Sequence, residues 1–215
     1  MFVEFLDTDT YIFLQEERDC IEDMIEDVEV EVRKWLPQLP SRINLSIQTG
    51  LRVIPETGET GANVGHTRII WTVDATRPEG VVVIARSHLR PTLFHELHHV
   101  MRKQGKTKEM LLQRSLMDFV ISEGLATVFE RDMAGRAAPW GKYPEDVTAW
   151  IDELLALPKD APRQQWMFYH PDGRRWIGYK AGTYIVEQAM ASSGLSAADL
   201  ATVPTVEILN FAHFG

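Results

Sequence analysis

Apolar positions recur at helical intervals through the start of the chain. Leu14, Ile21, Met24, Ile25, Val28, Val32 and Trp35 are spaced by three, four or seven residues, which is one stripe of a 3.6-residue helix. Asp9 or Thr10 is the expected cap, and Pro37 stops the helix after about Leu36. The period then changes to two. Residues 43–47 and 68–73 read as strands, 51–54 as a candidate continuation of the first, and 55–65, with Gly58 and Gly61, as a loop. The apolar run 81–84 fits a buried strand or a helical lead-in equally well.

From Pro91 onward the pattern is helical. Pro91 suits the first turn of a helix ending near Gly105. A long helix is expected over 108–133, closed by Gly135, and a connection over 136–146. A short helix over 147–157, a mostly loop stretch over 158–175 and a helix over 179–191 ended by Gly194 follow, with helical pieces at 196–200 and 204–210. Helix, a few strands, then helices is an α+β order. The 215 residues suit a single domain, divided into an N-terminal helix (1–37), a sheet with its helices (41–135) and a helical C-terminal part (136–215).

Composition excludes several classes. With 45% hydrophobic and 25% charged residues, the chain is neither fibrous nor disordered. No apolar run approaches the roughly 18 residues that span a bilayer. The first residues meet acids at once and lack a basic region, so no signal peptide is expected. Cys20 is the only cysteine, which excludes an internal disulfide and a multi-thiolate zinc site; a cytoplasmic location follows as an expectation. The net charge of −9 is uneven. Twelve of the 31 acids lie in residues 1–31, where Arg18 is the only base. Glu16, Glu17, Glu22, Asp23, Glu26 and Asp27 fall mostly opposite the apolar stripe and read as a solvated face. No basic stripe interleaved with aromatics suggests nucleic acid, and no polybasic segment suggests a membrane surface.

The chemistry concentrates in His95-Glu96-Leu97-His98-His99. Two histidines at i and i+4 project from one helix face and can converge on one zinc ion, with the intervening glutamate placed to take a proton from water. At about 100° per residue, Leu93, Phe94, Leu97, Val100 and Met101 form the opposite, core-facing arc. The alternative is a helix with two ordinary surface histidines. His98 is read as a bystander. A catalytic zinc needs a third protein ligand. Glu123, in Ser122-Glu123-Gly124-Leu125-Ala126, is the candidate, because it falls in register with Leu116 and Phe119 on an apolar helix. A carboxylate there is costly unless paired or metal-bound. The competing reading is a buried glutamate paired with an arginine such as Arg102. Gly124 suggests a close backbone approach, and Glu130 is either an acceptor for a histidine N–H or an exposed acid.

This combination resembles the gluzincin pattern of zinc metallopeptidases. More narrowly, it is similar to the uncharacterised bacterial predicted zinc-dependent proteases of the YjaZ type. The resemblance covers roughly residues 66–190. It implies a zincin-like fold, a small mixed sheet packed on an active-site helix followed by a mostly helical C-terminal half. It assigns His95, His99 and Glu123 to Zn2+ and Glu96 to catalysis. Thermolysin-like relatives place an aspartate four residues after the ligand glutamate, where this chain has Thr127.

Tyr179, Tyr184 and His170 are candidates to brace the oxyanion. The resemblance of Gly178-Tyr179-Lys180-Ala181-Gly182 to a feature near the end of such domains favours Tyr179, and Arg174 and Arg175 come next. An aromatic residue at a helix start is also a normal core residue. His66, His88 and His213 read as structural or exposed. By analogy with zincins, residues 68–73 are the candidate strand to pair with an extended substrate, and an internal strand fits them equally well. The expected function is a zinc-dependent peptidase acting on a peptide or protein. The competing readings are a zinc-binding interaction module with little turnover, whose partner surface would be the acidic first helix, and a metal-dependent amidase on a non-peptide substrate.

Overall fold

The computed structural model describes residues 1–158 and 160–215; Lys159, within the expected loop 158–175, lies outside the described residues. The architecture is α+β, with one small sheet and mostly helical remaining structure. The chain forms two compact units, Met1–Met101 and Arg102–Gly215.

The first unit holds the sheet, in the order β1-β2-β4-β3. Strand β1 (Phe2–Leu6) pairs parallel with β2 (Asn44–Thr49), β2 pairs parallel with β4 (Arg68–Val73), and β4 pairs antiparallel with β3 (Glu59–Val64). A parallel neighbour needs a crossover, and helix α1 (Gln15–Trp35) supplies it between β1 and β2. Its apolar stripe is buried at Ile21, Ile25, Val28 and Val32, whereas Leu14 and Trp35 are exposed. The helix starts later than Asp9 or Thr10 suggested. Thr8 and Tyr11 close a turn, and the buried Glu17 carboxylate accepts from the Leu14 amide and the Tyr11 hydroxyl. Glu17 therefore leaves the solvated acidic face and caps the helix instead.

Residues 51–54 do not extend β2, and the expected loop 55–65 contains β3. That strand has no period-two apolar pattern, and its full ladder with β4 holds it. Strand β4 is consequently internal, flanked by β2 and β3. The substrate-pairing role given to residues 68–73 is corrected on this ground, because the amides and carbonyls on both edges of β4 are committed to its neighbours.

The undecided run at 81–84 is helical. Helix α2 (Gly80–Ile84) passes through a π turn at Ala85–Leu89 into α3 (Arg90–Lys103), so the helix begins well before Pro91. A proline inside a helix lacks the N–H for its i−4 bond and its ring crowds that carbonyl. The wider π turn immediately before Pro91 relieves both problems.

The second unit is helical and begins in the last turn of α3. The expected long helix over 108–133 is two helices, α4 (Lys108–Leu112) and α5 (Leu116–Ala134). Ser115 restarts the helix. Its hydroxyl accepts from the Asp118 amide, and the Asp118 carboxylate accepts from the Ser115 amide and hydroxyl, a reciprocal cap. Gly135 closes α5 in the left-handed region. Helices α6 (Val147–Leu155), α7 (Arg163–Met167), α8 (Ile177–Ser193) and α9 (Thr205–Phe211) complete the unit; α7 lies in the stretch expected to be loop. Helix α5 packs closely on α8 at Gly124 and Gly182. A Cβ on Gly124 would lie 2.2 Å from the Gly182 carbonyl carbon, and one on Gly182 would lie 2.1 Å from the Val120 oxygen. Gly124 thus permits the close backbone approach that the sequence suggested. No helix among the described residues is long and apolar enough to cross a membrane.

Candidate metal centre

Helix α3 presents His95, Glu96 and His99 within little more than one turn. The Nε2 atoms of His95 and His99 lie 3.1 Å apart, with the ring planes at 81°. Two donors about 2.05 Å from one tetrahedral zinc are separated by roughly 3.3 Å, so the pair fits a shared ion. His95 is 9% and His99 8% exposed, which removes the surface-histidine alternative. The buried aliphatic arc of Leu93, Leu97, Val100 and Met101 anchors the opposite face of the helix. His98 is also fully buried.

Glu96 is 6% exposed, and β3 passes against it at Gly61. A Cβ on Gly61 would meet the Thr92 Cγ2 at 2.6 Å, the Glu96 Cγ at 2.8 Å and the Glu96 Oε1 at 2.9 Å. Only glycine lets the strand approach this carboxylate so closely. Two residues earlier, the buried Glu59 carboxylate accepts from Trp71 Nε1 at 2.8 Å and from Thr92 Oγ1 at 3.0 Å, tying β3 to β4 and α3. The sequence reading missed both residues by assigning them to a loop.

Glu123 lies on α5, half-buried. Among the described residues, His95, His99 and Glu123 form a group able to hold a metal ion, their ligand atoms all within 4.8 Å of one another. One carboxylate and two imidazoles are a donor set suited to zinc. Arg102 itself donates to the Ala201 and Val203 carbonyls and to Thr205 Oγ1, and the arginine on which the Glu123 carboxylate acts is Arg114, so the arginine-paired alternative passes from Arg102 to Arg114. Burial pulls the Arg102 pKa down to about 10. Glu130, on the same helix, is buried rather than exposed. Thr127, at the position where thermolysin-like relatives carry aspartate, is buried, and its hydroxyl has no hydrogen-bond partner among the described residues.

Tyr179 lies in the first turn of α8, its ring 5.4 Å from that of Trp176 and 6.1 Å from that of Phe168. Trp176, the residue before the helix, has φ 61°. A bulky residue in the left-handed region is strained, and ring contacts with Trp140, Phe168 and Tyr169 hold it there. No sequence signal marks that conformation. His170 sits in the turn preceding α8, with Nδ1 2.9 Å from an Asp172 oxygen and its ring against Trp166. The Tyr184 ring meets the Tyr143 ring edge to face, with centroids 5.2 Å apart. Arg174 is committed to Glu153 and Asp172, and Arg175 lies over the rings of Tyr169 and Trp176. His66 and His213 are exposed, and His88 is half-buried within the π turn.

A family model described as "Predicted Zn-dependent protease (DUF2268)" matches residues 21–210. No curated protein and no solved structure matches the chain.

Proposed function

Because the chain belongs to the DUF2268 family of predicted Zn-dependent proteases, we propose that it is a gluzincin-type metallopeptidase on a zincin-like fold. In this reading His95, His99 and Glu123 hold zinc and Glu96 is the general base. The observation that carries the reading is the convergence of those two imidazoles and one carboxylate. Zinc, when bound, supplies a Lewis acid that polarises a carbonyl and brings the pKa of a water near neutrality. Glu96 takes the proton of the attacking water and passes it to the leaving amine. Tyr179 or His170 donates a hydrogen bond to the oxygen that becomes negative. Strand β3, an edge of the sheet, takes over the role first given to residues 68–73 and pairs with an extended peptide.

Zinc content tests the ligand set. Purified protein should carry about one zinc per chain, and His95→Ala, His99→Ala and Glu123→Ala should each lower that value. Full retention in Glu123→Ala would remove Glu123 from the set and direct attention to His98 or Glu130. For the oxyanion, Tyr179→Phe should reduce turnover by about 10²-fold with zinc content unchanged. A normal rate for that variant beside a large loss for His170→Ala would move the role to His170.

A further inference from the structure

One turn before Glu123 on α5, the Phe119 ring is met by two guanidinium groups. The Arg114 carbon lies 4.0 Å and the Arg163 carbon 4.2 Å from the ring centroid. Both guanidiniums are thus within cation–π range of the same ring. A cation–π contact uses the guanidinium face, and among the described residues most of the N–H groups of the two arginines have no acceptor. Among the described residues, Arg114 donates only its Nε–H, to the Leu111 carbonyl at 3.2 Å, and Arg163, an exposed residue at the start of α7, has no hydrogen bond or ion pair.

Further positive charge gathers beside Arg114. Arg102, Lys103, Lys106 and Arg114 line one small recess with Asp118 as its only acid. Asp118 is already engaged by Ser115 and Thr205. Burial holds the Arg114 guanidinium below its ordinary pKa; the Glu123 carboxylate acts against that, and Arg163 adds to it. If Glu123 binds a cation, Asp118 is the one carboxylate of this recess that faces Arg102, Lys106 and Arg114. Phe119 and Glu123 are four residues apart and therefore share a face of α5, which sets the arginine pair one helical turn from the ligand.

We infer that Arg114 and Arg163 receive a carboxylate of the substrate, making the protein selective for peptides with an acidic side chain or a free C-terminus near the scissile bond. The inference rests on the metallopeptidase reading for the location of that bond, but the carboxylate site itself can be measured without turnover. Planar guanidiniums present paired N–H donors that match carboxylate oxygens, and a region of one sign steers and retains the opposite charge.

The test uses zinc-loaded full-length Glu96→Gln protein and three fluorescent peptides, read by anisotropy. One carries an internal Glu and an amidated end, one is neutral with a free C-terminal carboxylate, and one is neutral and amidated. At least one carboxylate peptide should bind about tenfold more tightly than the neutral twin, with the gap shrinking as salt rises. Which of the two gains identifies the carboxylate that is read. R163Q should narrow the gap, and R114Q combined with R163Q should abolish it. R163Q changes an exposed side chain, so its result does not depend on refolding a core. Equal binding of all three peptides, or a gap unchanged in R163Q and in the double variant, would overturn the inference while leaving a zinc-dependent peptidase intact. A carboxylate gap that needs the arginines, in a protein whose wild type cleaves no peptide, would uphold the site and remove the peptidase reading.

Discussion

Glu96→Gln should leave zinc content near that of the wild type and lower peptide hydrolysis by about 10²- to 10⁴-fold, the range of general-base catalysis. The amide keeps the size and polarity of the side chain but cannot accept the proton of the attacking water. Two features of the surroundings make this a clean substitution. Glu96 is buried beside Gly61, where an added Cβ would fall 2.8 Å from the Glu96 Cγ, so an isosteric change is tolerated and a larger one is not. The histidines on either side of it are fixed by the same helix and by the apolar arc behind it, so loss of the carboxylate charge does not remove the donors. Zinc measured by emission spectroscopy and turnover of an unstructured peptide check the two halves. Turnover within a few-fold of wild type, at full zinc occupancy, would exclude Glu96 as the base and with it the proposed mechanism.

The parts of this site read from sequence are those in which spacing alone determines geometry. His95 and His99 converge because i and i+4 share a face on any helix, and Glu123 stood out because a carboxylate was in register with apolar positions. Gly124 was informative because glycine inside a helix has a propensity cost that calls for a reason. What escaped was set by tertiary contact. Residues Glu59–Val64 have the composition of a loop and form a strand because β4 offers them a ladder. That missed strand takes the edge of the sheet, so of the two readings open for residues 68–73 the internal strand holds. The π turn before Pro91 and the left-handed Trp176 are likewise responses to crowding in three dimensions. The break at Ser115 was legible in principle, since Ser115 and Asp118 have the spacing of a capping box, but the apolar period running across it concealed the stop.

Gly124→Ala should destabilise the protein by about 3 kcal/mol or more and reduce its zinc content, although the same change on an exposed helix would stabilise by about 1 kcal/mol through propensity. The sign is decided by the crossing of α5 and α8. A Cβ at residue 124 would lie 2.2 Å from the Gly182 carbonyl carbon and 2.3 Å from its oxygen, and these are backbone atoms that no rotamer change can remove. Relief requires the two helices to separate, and separation opens contacts among buried residues such as Val120, Leu125, Ala181 and Ile185. Overpacking of a tight core costs about 1–3 kcal/mol and sometimes more, and rigid backbone on both sides favours the upper end. At roughly 2–4 °C per kcal/mol for a chain of this size, thermal unfolding should move down by about 6–12 °C. Glu123 is the preceding residue, so displacement of α5 at this point also moves the proposed third ligand. Gly182→Ala, whose Cβ would lie 2.1 Å from the Val120 oxygen, makes the same collision from the other helix and should lower both stability and zinc content in parallel. The measurement is a thermal melt with and without a chelator, beside zinc content at a temperature where each variant remains folded. A Gly124→Ala protein that melts at or above the wild-type temperature would refute the glycine crossing. One that melts lower yet keeps its full zinc would show that Glu123 does not depend on the crossing for its position.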